Sequence, residues 1–570
     1  MKFFLILLLL ITSIFISSCK NREAQNMPTP VQNTPSENSQ NETAEGWFYK
    51  GKDFDKQRNY RESVKCYEKS VELDPNYIKS WHNKGLALFF LGKYDEAIVC
   101  FDRALQIDPN DLKSLTNRAL TLHHKGKYKE ALEYYNKAIK ADPNYIDAWN
   151  NMALTLGDMG KYDEALGCYD RIFKIDPGYV TARVNMGGLL HKARKYEDAL
   201  KSFNKAIELN PSLPDAWRGK GQTLAEQKKY KEALLCYDKA LEIDNSYPYA
   251  FFGKGEIFRE QGNYEESIKY YDKAIEFDPE CREAWNAKGI AYDKLGKYDE
   301  ELKCYDKIIE FAPDYASAWN NRGNVFNAMG NPEEAIKCFN KALEIEPDFL
   351  DSLINKGAIL VNQGKSEEAL KCCERALKID PENKHGWLLK GEISSNGGQY
   401  KEAMKYFDIA LKIDPKFNDA LNNKGTSLSK QGKYEEAIKC YDMALANNPT
   451  FIPALYNKAN ALGKQNKAEE AIKCYDKILA FNPSYSPALL NKGAELGMNG
   501  HLDEAIKCFD KVIETNPGEI NGWISKAIAL ERQKKYKDAI DCLNHALQIE
   551  PGNNKVRTMK NELEEALKEH

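Results

Sequence analysis

Residues 146–179 read IDAWNNMALTLGDMGKYDEALGCYDRIFKIDPGY, and this stretch of 34 residues decides the fold. Apolar residues recur at three- and four-residue spacing over 147–160 and again over 162–175, which is the period of an amphipathic helix and not of a strand. Gly160 ends the first of these segments and Pro177 follows the second, and both residue types are typical of helix ends. The stretch therefore predicts two short helices joined by a turn.

A proline recurs at the same place in almost every copy of this stretch. Adjacent prolines are 34 residues apart except where Asn245 replaces one, and they are Pro75, Pro109, Pro143, Pro177, Pro211, Pro279, Pro313, Pro347, Pro381, Pro415, Pro449, Pro483, Pro517 and Pro551. Fifteen copies of one length, without an insertion, fill residues 44–553 and indicate an internal repeat. Positions within each repeat are numbered below from its first residue, so that the proline stands at position 32.

Several other positions of the repeat are restricted to one kind of residue. Position 8 is always Gly or Ala, position 20 is Ala or Ser in fourteen repeats, and position 24 is Tyr or Phe in thirteen. All eight tryptophans stand at position 4, and they are Trp47, Trp81, Trp149, Trp217, Trp285, Trp319, Trp387 and Trp523. Small residues at 8 and 20 would let two helices approach closely, with the aromatic residues filling the space beside them.

This pattern resembles the tetratricopeptide repeat over residues 44–553, about nine-tenths of the chain. The resemblance implies an all-α fold, a right-handed α-solenoid superhelix of about fifteen helix-turn-helix repeats. Because one repeat cannot bury its apolar face alone, neighbouring repeats must stack. Residues 554–570 carry Val556, Met559, Leu563 and Leu567 on one stripe, which predicts a C-terminal capping helix.

Two features depart from the family's pattern. Position 7 is Lys or Arg in thirteen repeats, where the family usually has an aliphatic residue. We expect the stems of these side chains to pack while their charges reach water. Glu301 stands at position 20 of the eighth repeat, and a carboxylate in that close contact needs a partner. Lys288 in the same repeat is the candidate.

The chain begins with a segment of a different kind. Lys2 is followed by an apolar run over 3–16, which is short for a spanning helix but suits a secretory signal. The four residues 16–19, Ile-Ser-Ser-Cys, resemble a bacterial lipobox. We therefore expect a signal peptide over 1–18 and lipid attachment at Cys19. An uncleaved signal anchor with a chance cysteine is the alternative.

Residues 19–43 are interpreted as a lipidated cysteine followed by a flexible tether. The segment after Cys19 is rich in Asn, Gln, Ser, Thr and Pro and has almost no apolar residues, a composition that favours disorder. The expected localisation is the cell envelope, anchored to a bilayer by lipid. Lys20 follows the cysteine. By resemblance to known sorting rules for bacterial lipoproteins, this residue favours the outer membrane if the cell has two membranes. If the signal is not used, the protein would be cytoplasmic.

The fourteen cysteines do not suggest disulfide or metal chemistry. Eleven stand at position 23, and equivalent points on stacked helices are about 8–10 Å apart, which exceeds the reach of a disulfide. We interpret them as small apolar fillers. So many thiols are unusual in an exported protein, but duplication of one repeat accounts for them.

Composition and motifs exclude several classes of function. The net charge of −4 provides no basic footprint for nucleic acid. Neither the phosphate-binding motif G-x-x-x-x-G-K-[ST] nor the nucleophile motif G-x-S-x-G occurs. We therefore expect no catalytic residues, no cofactor, no metal and no small-molecule substrate, and we predict that the protein is not an enzyme.

Asparagine stands at position 6 of nine repeats, and these residues are Asn83, Asn117, Asn151, Asn185, Asn321, Asn355, Asn423, Asn457 and Asn491, called the asparagine row below. In the tetratricopeptide family, position 6 points into the concave groove. The row resembles the asparagine ladder of the glycosyltransferase repeats, where amides bind a peptide backbone by donating and accepting at once. The alternative is a tolerated polar residue copied by duplication. Gly219, Gly253 and Ala287 interrupt the row, so we expect separate peptide-binding subsites.

Two classes of function remain after these exclusions. One is a membrane-tethered scaffold that binds partner proteins or extended peptides in its groove. The other is an assembly or targeting chaperone that delivers client proteins to a membrane machine of the envelope. The identity of the partner cannot be predicted from these residues.

Overall fold

A computed structural model describes residues 43–569, and every regular element in that range is an α-helix. The predicted all-α fold of helix-turn-helix repeats is therefore confirmed. The predicted signal peptide (1–18), the lipid-attachment residue Cys19 and nearly all of the tether lie outside the described residues. No described helix combines the length and the apolar composition that a membrane span requires.

The chain divides into two compact units, here called the N-terminal body (1–304) and the C-terminal body (305–570). The N-terminal body contains α1 (Ala44–Lys56), α2 (Tyr60–Leu73), α3 (Ile78–Phe90), α4 (Tyr94–Ile107), α5 (Leu112–His124), α6 (Tyr128–Ala141), α7 (Ile146–Asp158), α8 (Tyr162–Ile175), α9 (Val180–Lys192), α10 (Tyr196–Leu209), α11 (Pro214–Glu226), α12 (Tyr230–Ile243), α13 (Pro248–Glu260), α14 (Tyr264–Phe277) and α15 (Arg282–Lys294). The boundary falls within α16 (Tyr298–Phe311).

The C-terminal body continues the same alternation of helices. It contains α17 (Ala316–Ala328), α18 (Pro332–Ile345), α19 (Leu350–Asn362), α20 (Ser366–Ile379), α21 (Lys384–Asn396), α22 (Tyr400–Ile413), α23 (Asn418–Lys430), α24 (Tyr434–Asn447), α25 (Ile452–Lys464), α26 (Ala468–Phe481), α27 (Ser486–Met498), α28 (Leu502–Thr515), α29 (Ile520–Arg532), α30 (Tyr536–Ile549) and α31 (Asn554–Glu569). In both bodies an odd-numbered helix is the first helix of its repeat, and it packs against the even-numbered second helix.

The turn between the two helices of a repeat has a fixed backbone conformation. Position 15 has a positive φ in every repeat, and glycine occupies it in ten of them because it adopts this conformation without steric cost. In twelve of the fifteen repeats, the turn between repeats has Asp or Asn at position 31, whose side chain can accept a hydrogen bond from the backbone N–H two residues later. In the repeat that lacks the proline, Asp244 Oδ1 accepts a hydrogen bond from the Ser246 backbone N–H at 2.9 Å, so the turn forms around Asn245 as well.

Two contacts explain the restricted positions. A Cβ atom added to Gly187, at position 8, would lie 2.7 Å from Cε1 of the buried Phe203 ring at position 24, so a larger residue at position 8 would collide with the aromatic core. The Trp81 Nε1–H, at position 4, donates to the Pro75 carbonyl oxygen of the preceding repeat at 2.9 Å. Tryptophan and proline therefore join neighbouring repeats directly.

The charges at position 7 form a contact that the sequence pattern did not predict. Their stems pack as expected, and the Lys254 side chain is 14% exposed. Its ammonium group, however, lies 2.7 Å from Asp238, at position 25 of the preceding repeat. Lys288 makes the equivalent pair with Asp272 at 2.6 Å, so the predicted pairing of Lys288 with Glu301 is wrong.

The cysteines at position 23 and the last helix lie where packing requires apolar atoms. All eleven of these cysteines are buried thiols, which confirms their interpretation as fillers. In α31, Val556 and Leu563 are buried against Leu530 and Leu543 of the last repeat.

Candidate functional site

The candidate site lies on the surface that the first helices present side by side. Each first helix contacts the first helix of the next repeat within its body. Positions 2, 6, 9 and 13 of a helix lie on one side of it, because they are three or four residues apart. We call this surface the first-helix face. The asparagine row occupies position 6 of this face.

In the C-terminal body, the amide groups of the asparagine row bind the preceding repeat. Asn491 Nδ2 donates to Asn460 Oδ1 at 3.0 Å and to the Tyr456 hydroxyl at 2.9 Å. Asn457 Nδ2 donates to Asn422 Oδ1 at 2.9 Å. Four amides therefore join neighbouring repeats, and their bonds run from Asn355 to Asn324, from Asn423 to Glu392, from Asn457 to Asn422 and from Asn491 to Asn460. In the same body, Asn321 Oδ1 accepts from Asn320 Nδ2 at 3.4 Å.

The N-terminal body arranges the same row differently. Asn185 is 7% exposed and donates to Asn150 Oδ1 at 2.9 Å. Asn117 Nδ2 lies 3.4 Å from His82 Nε2, a long contact. Asn83 and Asn151 are partly exposed, and neither side chain hydrogen-bonds to another residue of the range 43–569. Both of these amides are therefore available to a ligand.

Two of the three interruptions of the row, Gly219 and Gly253, have a steric cause. A Cβ atom on Gly219 would lie 2.3 Å from Cε1 of Phe203, and one on Gly253 would lie 2.4 Å from Cζ of Tyr237. Each ring belongs to position 24 of the preceding repeat and is almost fully buried. With the rings in these places, position 6 has no room for an asparagine side chain.

Histidines form a second polar pattern on these helices, and two of them, His82 and His191, are buried. His82 Nδ1 lies 3.0 Å from Ser114 Oγ, and His191 Nδ1 lies 3.1 Å from Thr223 Oγ1 of the following repeat. Burial lowers the pKa of His82 and of His191 to about 4. Both imidazoles are therefore neutral at pH 7.

One group of charges is held between three repeats of the N-terminal body. Asp158 lies 2.8 Å from Lys192 Nζ and 3.3 Å from His123 Nε2. Burial lowers the pKa of His123 although Asp158 opposes this shift, so the pair of Asp158 and Lys192 needs no charge on the histidine. Among residues 43–569, no cluster of three or more His, Cys, Asp or Glu side chains could hold a metal ion.

Solved structures with similar folds have little sequence identity to this chain. "Structure of Naa15/Naa10 bound to HypK-THB" shares 16% identity over 92% of this chain and 97% of that chain, with a TM-score of 0.37. "Crystal structure of APC/C hetero-tetramer Cut9-Hcn1" shares 14% over 85% and 96%, with a TM-score of 0.49. "Crystal Structure of the Yeast Tom70" shares 18% over 74% and 96%, with a TM-score of 0.39. No curated protein sequence matches the chain.

Sequence models of protein families match along the repeats. A model described as "Tetratricopeptide repeat protein 21 N-terminal ARM repeat" matches 351–466. Models described as "Tetratricopeptide repeat" match 44–77, 78–111, 112–145, 134–167, 189–248, 252–316, 316–349, 452–485, 486–519 and 520–553. These matches cover most of residues 44–553 and agree with the helix pairs described above, so the chain belongs to the tetratricopeptide repeat family.

Proposed function

We propose that this protein is a lipid-anchored scaffold of the cell envelope that binds partner proteins or extended peptides on its first-helix face. Stacked repeats of this kind present extended binding surfaces, which supports a role in protein–protein interaction. The observation that carries the proposal is the pair of partly exposed amides, Asn83 and Asn151, which make no side-chain hydrogen bond within residues 43–569. An amide can donate to and accept from the backbone of a bound peptide, whatever the peptide's sequence. The function is therefore binding, without catalysis.

The attachment to a membrane rests on the lipobox-like residues 16–19 and is tested by chemistry at Cys19. Mass spectrometry of the mature protein from its native host should find an N-terminal diacylglyceryl-cysteine, and Cys19→Ala should remain unprocessed in the membrane fraction. Cys100→Ala is the matched control, because Cys100 is a buried filler and its loss should leave processing unchanged. Intact Met1 on the wild-type protein would refute the anchor.

Binding on the first-helix face is tested with the asparagine row. Changing Asn83, Asn117, Asn151 and Asn185 together to Ala should weaken a bound segment by about 1–3 kcal/mol through the two available amides, Asn83 and Asn151, since each hydrogen bond contributes about 0.5–1.5 kcal/mol net. Helix content should not fall, because Ala is the better helix former. Asn457→Ala is the control for general weakening of the solenoid. Wild-type affinity of the quadruple variant for its natural partner would mean that the row is a product of duplication.

The alternative function is an assembly or targeting chaperone, and the partners that co-purify with the intact lipoprotein distinguish the two. A scaffold should retain a few folded partners in fixed stoichiometry after extensive washing. A chaperone should retain many clients in substoichiometric amounts, and these clients should be sensitive to protease because they are not folded. Neither function involves nucleic acid or a small-molecule substrate.

A further inference from the structure

Two rows of side chains lie side by side on α3, α5 and α7, the first helices of repeats 2–4. Position 6 provides Asn83, Asn117 and Asn151, and position 9 provides Leu86, Leu120 and Leu154. All six side chains are partly exposed. Since positions 6 and 9 are three residues apart, each amide lies beside a leucine on the same face of its helix. The surface therefore combines hydrogen-bonding groups with one leucine per repeat, and these three leucines are called the aliphatic strip below.

The aliphatic strip is confined to these repeats within the N-terminal body. In the next three repeats, position 9 is Gly188, Gln222 and Glu256, none of which extends it. At its other edge the strip meets an aromatic group, where the Phe89 and His124 rings are 4.9 Å apart. The strip is therefore bounded, and a ligand that used it would need about three apolar side chains.

The spacing of the strip matches one conformation of an extended chain. Stacked helices bring one leucine per repeat, about every 8–10 Å. A polyproline II segment has three residues per turn and a rise of about 3.1 Å, so every third side chain returns to the same side after about 9 Å. A β-strand does not match as well, because its side chains alternate between its two faces at every residue.

The charges beside the strip are basic at one end. Lys79 and Lys113 stand at position 2 of repeats 2 and 3, are exposed, and make no ion pair within the described part of the chain. Asn83 and Asn117 follow them by four residues and lie on the same face. Asp147 occupies the same position of repeat 4, so the positive charge is limited to the α3 and α5 end.

We propose that α3, α5 and α7 form the peptide subsite, and that its ligand is a polyproline II-like segment with an aliphatic side chain at every third residue and acidic residues at one end. The aliphatic side chains pack on Leu86, Leu120 and Leu154, the ligand backbone bonds to Asn83 and Asn151, and the acidic end meets Lys79 and Lys113. Four of the five asparagines of the row in the C-terminal body join repeats to each other, and none of the five is part of this subsite. This inference rests on the proposed function and specifies its ligand.

The test uses the full chain in detergent and fluorescein-labelled synthetic peptides of about twelve residues, long enough for four turns of polyproline II. The first probe has leucine at every third residue, proline and glutamine between, and glutamates at one end. A second probe has the same composition with the leucines at every second residue, and a third has lysines in place of the glutamates. In fluorescence polarisation, the first probe should bind at least about tenfold more tightly than either of the other two probes. A factor of this size corresponds to the loss of about two hydrogen bonds.

Three double variants locate the binding. Lys79→Glu with Lys113→Glu should abolish the preference for glutamate over lysine, and Asn83→Ala with Asn151→Ala should weaken the first probe about tenfold. Asn457→Ala with Asn491→Ala is the matched control and should leave its affinity unchanged. Thermal unfolding by circular dichroism checks that the first two pairs remain folded, which is expected since none of the four residues is buried.

Equal affinity for all three probes, or no effect of the first two variants, would overturn the subsite. Loss of binding in the Asn457 and Asn491 variant alone would place the ligand on the C-terminal body, which refutes the subsite but leaves the proposed function intact. If the natural partner of the scaffold binds every variant with wild-type affinity, the first-helix face is not its binding surface. That last result would refute the proposed function as well.

Discussion

Acidification should destabilise the region around α9, because His191 is buried there as a neutral imidazole. Its side chain is 8% exposed, its Nδ1 contacts Thr223 Oγ1 at 3.1 Å, and its ring lies 5.6 Å from that of Tyr196. Burial lowers its pKa to about 4, and the nearby Arg218 lowers it further. The unfolded chain binds the proton more readily, so stability is complete above the unfolded pKa of about 6.5 and decreases as pH falls towards the folded value.

The size of the effect follows from these two pKa values. Between pH 7 and pH 5 the unfolded histidine becomes almost fully protonated, while the folded one stays almost fully neutral. The difference corresponds to about 2 kcal/mol for this residue, on the basis of about 1.36 kcal/mol per pKa unit. This is a large fraction of the local stability in a repeat protein, where each repeat is held mainly by its neighbours.

Hydrogen exchange measured by mass spectrometry is the appropriate assay, because it reports opening free energies region by region. Peptides from Val180–Lys192 should lose about 2 kcal/mol of protection between pH 7 and 5 after correction for intrinsic exchange rates, beyond any loss in Tyr434–Asn447. His191→Gln keeps a polar partner for Thr223 but cannot titrate, so this extra loss should disappear in the variant. If the variant loses protection as the wild type does, the burial argument is wrong.

Three further predictions concern packing, modularity and a buried carboxylate. Phe407→Ala should destabilise its region by about 3–5 kcal/mol in hydrogen exchange, because the ring is fully buried. Phe481→Ala changes a ring that is 58% exposed and should destabilise its region far less. Equal losses of stability in the two variants would contradict the described core. Deleting residues 350–383, one whole repeat, should leave a folded protein by circular dichroism and size-exclusion chromatography, whereas deleting 350–366 should not, since it breaks the alternation of first and second helices. Burial raises the pKa of Glu392 to about 6, so its contribution to stability decreases as pH rises from about 4.5 through 6. Glu392→Gln keeps an acceptor for Asn423. This variant should stabilise the C-terminal body by about 1–2 kcal/mol at pH 8 in urea unfolding and have little effect at pH 4.

Most of the fold could be predicted from the sequence because each restricted position has one local physical cause. Position 8 is small because the ring at position 24 lies against it: a Cβ atom at Gly187 would lie 2.7 Å from the Phe203 ring, and the four repeats that do carry a Cβ atom there have only alanine. Tryptophan at position 4 recurs together with the proline of the preceding repeat because, as in Trp81 and Pro75, the indole N–H donates to the proline's carbonyl oxygen. Contacts that repeat with the chain's own period leave a periodic pattern, and such a pattern can be read from one sequence.

Contacts between repeats that involve two variable positions were harder to predict. The pairing of Lys254 with Asp238 joins position 7 to position 25 of the preceding repeat, sixteen residues earlier in the chain. Nothing in the composition of one repeat connects these positions, and the lysine alone was equally compatible with a charge that reaches water. Ion pairs of this exposure contribute about 0–1 kcal/mol each. They therefore determine where the charge goes more than they determine whether the chain folds.

The two roles of the asparagine row depend on a residue outside the row. The residue 31 positions before each asparagine stands at position 9 of the preceding repeat. It is Asn324, Glu392, Thr426 or Asn460 in the C-terminal body, and each of these side chains accepts a hydrogen bond from the later amide.

In the N-terminal body the corresponding residues are Leu86 before Asn117, Leu120 before Asn151 and Leu154 before Asn185, and leucine accepts nothing. Asn185 nevertheless joins its neighbour, because Asn150 at position 5 of the preceding repeat accepts from its amide at 2.9 Å. Position 9 alone does not decide the role, because an acceptor at position 5 of the preceding repeat can replace one at position 9. The same leucines that leave Asn151 without a partner also create the aliphatic strip. At Asn151, the leucine that removes an acceptor also lies beside the free amide, so one residue provides both groups that the proposed subsite uses.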